Sequence, residues 1–227
     1  MSMARLFMWA ALLALPLLAW SQSKPPAKPQ PHSPVIKPAP AGKEPWDFSV
    51  TVDGYVIEDA DGYAQPTFTA DHKWLHLEAR YNYENFRTGS LWGGYNFRWG
   101  KDWQFSVTPM IGGVFGRTNG IAPGCEASVA WKILTFSVDN EYVFDTSSKS
   151  GNFYYAWPQL TIQPVHWFNF GGVAQHTKVF QTDINIQRGF FLGFQGKTLA
   201  FTTYVFEPGG GATSVVLELS ASFSKSH

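Results

Sequence analysis

Two groups of side chains in this chain have the types that ester hydrolysis needs. Gln175, His176 and Thr177 are consecutive, and Asp183 follows a few residues on. A base, a group to orient it and a nucleophile make an acyl-transfer centre when they meet in space. No serine lies near this group in the sequence. His76, Glu78 and Ser90 form the second group, on segments whose alternate residues are apolar. A histidine among the polar residues of such a segment is ordinarily a hydrogen-bonding member of the wall, so neither group assigns a catalytic residue. A lipid-modifying hydrolase remains the enzyme alternative. The histidines are otherwise scattered, the single Cys125 stands alone, and no zinc-type ligand spacing occurs. Gly209-Gly210-Gly211 precedes a strand pattern rather than a helix, so it is no phosphate loop. No metal or cofactor is expected.

A larger set of charged residues shares one property. Asp53, His76, Glu78, Arg80, Glu84, Arg98, Glu126, Lys132, Asp139, Glu141 and Glu218 occupy the polar positions of alternating segments. Side chains of a strand point alternately to opposite faces, so these residues belong on one face, away from the apolar one. If the strands close round a lumen, the set admits two readings. The charges pair into a network that fills the interior, or they line a narrow aqueous path and set its ion preference.

The elements that position them are strands. In Trp74 to Glu84, Leu75, Leu77, Ala79, Tyr81 and Tyr83 alternate with His76, Glu78, Arg80, Asn82 and Glu84. Leu91, Gly93, Tyr95, Phe97 and Trp99 alternate with Ser90, Gly94, Asn96 and Arg98, and similar runs begin at Phe48, Trp103, Leu134 and Ser214. The runs extend over about 9–11 residues, the length a tilted strand needs to cross a bilayer. A soluble sandwich also alternates, but its strands are usually about 5–6 residues long. Tryptophans 74, 99, 103, 131 and 167 fall at segment ends, where the aromatic girdles of a membrane barrel belong.

Turn chemistry counts the strands. Tight connections fall at Asp71 to Lys73, Gly100 to Asp102, near Lys132, Pro164 to His166, and Gly196-Lys197. Six more are centred on Asp59 to Gly62, Asn85 to Thr88, Arg117 to Gly120, Asp145 to Gly151, Gln181 to Asp183, and Pro208 to Ala212. Twelve antiparallel strands follow; ten is the alternative, because Ala64 to Ala70 is short and interrupted by Pro66. An unpaired backbone group costs several kcal/mol in hydrocarbon, so the last strand must close on the first. Gly112-Gly113, Gly116 and Gly171-Gly172 are expected to mark bulges or bends. Arg188 shares the parity of Ile184 and Ile186, which requires a bulge near Gly189 or a place at the interface; Asn140 raises the same question more mildly.

Composition agrees. Aromatic residues make up 17% of the 227 and charged ones only 15%, and the 17 basic and 17 acidic side chains cancel. No basic surplus exists to bind nucleic acid. Residues 1–21 read as a secretory signal peptide, with Arg5 before the apolar run Leu6 to Trp20. Residues 22–45 carry eight prolines among Lys, Ala, Ser and Gln, which describes a disordered periplasmic linker. Residues 46–227 form the barrel.

The signal peptide and the final strand Ser214 to Phe223, whose alternate apolar residues end in an aromatic, resemble the bacterial outer-membrane β-barrel superfamily, porin-like members included. The runs Leu75 to Glu84, Thr108 to Gly116 and Gly172 to Gly189 resemble an uncharacterised family within it, one that brings no activity. Ser224 to His227 depart from the pattern by extending past Phe223. The resemblance implies an outer-membrane location and contact with outer-membrane lipid and lipopolysaccharide. It also implies Phe223 as the signal read by the barrel-assembly machinery. The leading functional expectation is a narrow, polar-lined channel for small solutes, and a closed barrel with a salt-bridged lumen is its rival.

Overall fold

A computed structural model describes residues 45–57, 62–147, 149–179, 185–209 and 213–225. The expected signal peptide, nearly all of the linker, and Asp183 lie outside them. Thirteen strands are β1 (Trp46–Ile57), β2 (Tyr63–His72), β3 (Leu75–Tyr81), β4 (Thr88–Tyr95), β5 (Phe97–Gly100), β6 (Trp103–Gly116), β7 (Gly120–Trp131), β8 (Leu134–Asp145), β9 (Phe153–Val165), β10 (Phe168–Val179), β11 (Asn185–Gln195), β12 (Leu199–Phe206) and β13 (Ser214–Lys225). A single 3-10 turn, Lys149–Gly151, is the only helical element among the described residues.

β4 and β5 are one wall strand broken at Asn96. Both pair with β6, β4 along its later part and β5 along its earlier part. The break has a polar cause: the Asn96 backbone N–H bonds to Trp74 O at 2.7 Å, and its side chain bridges Asp71 and Thr108. Each remaining strand pairs antiparallel with its neighbours, and β1 pairs with β13 from Trp46↔Lys225 to Ile57↔Ser214. The described residues thus form a closed twelve-stranded antiparallel barrel, as the turn count expects. Closure gives every edge a partner, the condition for a sheet to sit in hydrocarbon.

Pro66 does not shorten β2. It stands in register opposite Val52 with its ring outward, and Gln65 and Thr67 on either side are buried. The alternative of ten strands therefore falls. No bulge forms at Gly112, Gly113, Gly171 or Gly172, which pair in regular register, and the one shift among these strand pairs lies between Phe168 and Phe170; Gly116, at φ 132°, marks the end of β6. Arg188 takes the interfacial place. It lies one residue beyond Gly189↔Phe206, the last pair with β12, and exchanges backbone and side-chain bonds with Glu207 at the rim.

The outside is oily. Val52, Leu91, Ile111, Phe136, Leu160, Leu192, Phe201 and Leu219 are exposed on different strands round the wall. At the rim with the short turns, aromatic rings stack across strands: Trp74 on Tyr95, Trp99 on Phe105, Trp103 on Trp131, and Phe48 on Phe223. That belt is the girdle of a membrane barrel. Lys132 belongs to this rim, not to the lumen as the alternation suggests. It occupies the β7–β8 turn at φ 54° with its ammonium 4.5 Å above the Trp131 ring, because a two-residue turn interrupts the strand parity. Leu219, 54% exposed near the middle of β13, gives the band a direct test. Leu219→Arg is expected to lower the unfolding free energy in lipid vesicles by about 2–4 kcal/mol, while the same change in a detergent of short chain costs less.

Candidate functional site

Interior side chains divide the lumen into two halves. In the half nearer the short turns, the inward positions are mostly Ser, Thr, Asn, Gln and charged residues. They surround a cavity of about 550 Å³. Asp71, Glu126, Asp139 and Glu218 bring four carboxylates to its wall, against Arg98 and Lys197 as fixed cations. This polar vestibule carries an acidic surplus.

Towards the longer connections the same inward parity carries rings and branched chains. Tyr55, Trp92, Val143, Phe153, Tyr155, Trp157, Phe191, Tyr204, Phe206 and Val216 are each at most 3% exposed and pack in one cluster from all round the wall. Trp157 on β9 meets Tyr204 and Phe206 on β12 edge-on, at 5.7 and 5.2 Å between centroids. β10 and β11 separate these strands in the sheet, so the rings touch across the lumen. Gly112 makes this packing possible: a Cβ there would fall 2.4 Å from the Trp92 ring. An inner wall that alternated without such rings would leave a pore; here aromatic side chains fill it.

Between the halves lies a charged layer. Arg80 bonds to Glu78 on its own strand and, at 3.0 Å, to Glu141 on β8. Three wall strands separate β3 from β8, so this ion pair also spans the lumen. The guanidinium lies 4.2 Å from the Tyr83 centroid and 4.5 Å from that of Trp92, and donates to Met110 Sδ at 3.6 Å. Two carboxylates, two ring faces and exclusion from water hold Arg80 in one place.

The candidate residues are distributed over these layers. Arg98, Glu126, Asp139 and Glu218 face the vestibule, and His76 reaches its head. Glu218 accepts from Thr202 Oγ1 at 3.3 Å and from Tyr204 Oη at 3.1 Å. Asp53 is fully buried beside it, opposite Glu218 in the β1–β13 pairing. Glu78, Arg80 and Glu141 form the crossing layer. Glu84 belongs to the β3–β4 connection rather than to a strand, is fully buried, and accepts from Ser90 Oγ at 2.5 Å and from Trp92 Nε1 at 3.2 Å. Phe223 points outward and stacks on Phe48.

The two hydrolase groups do not assemble. Gln175 is buried in the lumen, whereas His176 stands on the opposite parity and meets the Tyr154 ring edge-on. Ser90 is engaged by Glu84, and the residue opposite His76 is Gly94, about 13 Å from Ser90 along the strand. The inward aromatic layer is what the sequence reading missed. Its signal was parity: Trp92 shares the face of Ser90, Gly94 and Asn96.

No protein-family model and no curated protein sequence matches the chain. Among solved structures it is similar to the KdgM porin in complex with disordered oligogalacturonate, with a TM-score of 0.58. It is equally similar to a second structure of the KdgM porin, at 0.57. In both, identity is 13%, and the match covers 77% of this chain and 99% of the other. The shared property is the fold, that of a closed antiparallel β-barrel.

Proposed function

We propose that the chain is a porin-like outer-membrane barrel whose vestibule admits small polar solutes from the turn end and whose aromatic and ion-paired layer is the narrowest part of their path. One observation carries this reading: the outer surface is a continuous oily wall, while half of the interior is a cavity of about 550 Å³ lined by polar side chains. A barrel that served only as a wall would gain nothing from keeping that space wet. β1 begins and β13 ends at the turn rim, so the preceding linker and the vestibule share the periplasmic side in this reading.

The acidic surplus bears on the solute. Carboxylates lining the approach to a constriction favour cations over anions. The KdgM porin is described with oligogalacturonate, a polyanion; the wall here is suited to cationic or neutral solutes instead.

The closed-barrel reading has its own support in the contacts that span the lumen, Arg80 to Glu141 and Trp157 to Phe206. Planar-bilayer recording of the purified full chain separates the two. Small, discrete, cation-selective steps are expected, with the reversal potential under a KCl gradient displaced towards the potassium equilibrium value. Silence at every voltage would overturn the channel and leave the closed barrel.

A further inference from the structure

His76 is buried on β3, and its two ring nitrogens have different surroundings. Nδ1 lies 2.9 Å from Asp71 Oδ1 on the adjacent strand. A carboxylate in that position takes the Nδ1 proton as a hydrogen bond and leaves Nε2 with a lone pair. Nε2 is shielded from solvent, makes no hydrogen bond, and lies 3.2 Å from Glu78 Oε1. A lone pair facing a carboxylate oxygen at that distance is repulsive unless a positive charge lies between them. The second oxygen of Glu78 is turned to Arg80, which leaves Oε1 for the histidine side.

Glu126 arrives from β7, separated from β3 in the wall by β4 and β6. One donor atom each from His76, Glu78 and Glu126 lies within 4.8 Å of the others. Metal–ligand distances of about 2.0–2.2 Å put the ligand atoms of a tetrahedral site roughly 3.3–3.6 Å apart. The His76–Glu78 pair, at 3.2 Å, is close to that spacing, and Glu126, half-buried at the vestibule wall, completes the set.

We propose that His76 Nε2, Glu78 Oε1 and the Glu126 carboxylate bind a divalent transition-metal cation of the zinc class at the head of the vestibule. Asp71 orients the imidazole from behind, the carboxylate–histidine–metal arrangement that fixes the tautomer and raises ligand basicity. Three protein ligands leave a fourth position for water. Cations reach the site from the turn end, since His76 and Glu126 both line the cavity. The site does not depend on whether the lumen conducts. No spacing motif announces it, because the ligands come from non-neighbouring strands.

The test uses the full chain, purified without a polyhistidine tag and folded in detergent, with Co²⁺ as a spectroscopic probe. Heat-modifiable gel mobility verifies the fold of each variant. One equivalent of Co²⁺ is expected to give a saturable visible absorption band that Zn²⁺ displaces. Glu126→Gln is the primary variant, because its side chain lies at the cavity wall and the amide keeps its shape; it should abolish the band. His76→Gln should abolish it too, and Asp71→Asn should weaken binding by about 10–100-fold. No saturable uptake by the wild type would overturn the proposal and place a proton on Nε2 instead. Uptake that survives both Glu126→Gln and His76→Gln would overturn it as well.

Discussion

Arg80→Ala is expected to lower the unfolding free energy of the barrel by about 3–5 kcal/mol, the largest effect of any single charge change in the lumen. Its guanidinium is the cation held between Glu78 and Glu141, and its carbon stem and plane pack against Tyr83 and Trp92. Removing it leaves two buried carboxylates without their compensating charge and strips a partner from two rings. The penalty belongs mostly to the orphaned acids, which makes a second expectation. Arg80→Met combined with Glu141→Gln should recover part of the loss, because one of the two stranded carboxylates is then neutral and only Glu78, which also faces His76, keeps its charge. Arg80→Lys should fall between, since a point charge satisfies one carboxylate well but not two at a fixed angle. Urea titration in lipid vesicles, followed by tryptophan fluorescence, measures all three against the wild type. A cost below about 1 kcal/mol for Arg80→Ala would place the residue with exposed ion pairs and remove the crossing layer as a structural element.

Trp157→Ala should alter both stability and permeation. The indole is 1% exposed and meets Tyr204 and Phe206 across the lumen, so its removal is expected to cost about 3–5 kcal/mol. The vacated volume lies in the half of the barrel that aromatic rings occupy, in line with the vestibule. Unit conductance in planar bilayers is therefore expected to rise severalfold over the wild type, with cation preference retained because the carboxylates of the vestibule are untouched. Trp157→Phe keeps most of the ring and should leave conductance near the wild-type value at a smaller cost in stability. Unchanged conductance in a folded Trp157→Ala barrel would show that the aromatic layer is not the constriction. The readouts are independent: stability reports the packing, and conductance reports the path.

Alternation along the chain was enough to place the wall. Period-2 patterning from Phe48 to Phe223 put Val52, Leu77, Leu91 and Leu219 on one face and Asp53, His76, Glu78 and Glu218 on the other, and the observed strands keep that parity. Turn residues at Lys73, Gly100 and Gly196 gave the connections, and their number gave closure with twelve strands. These features are legible because strand parity and turn conformation are local: a residue's face follows from its neighbours one and two positions away. Where a turn intervened, the rule failed, and Lys132 went to the rim.

Height in the barrel and contact across it are not local. Arg80 and Glu141 are 61 residues apart, and the rings of Trp157 and Phe206 come from strands that do not touch in the sheet. Parity tells that each points inward; only closure of the sheet, with its tilt and stagger, decides which inward residues meet. For that reason the sequence left the lumen as a single polar set with two open readings. The tertiary structure divided it into a polar cavity and an aromatic half. It separated Gln175 from His176, and it brought His76 to Glu126 from a strand with two others between them in the wall.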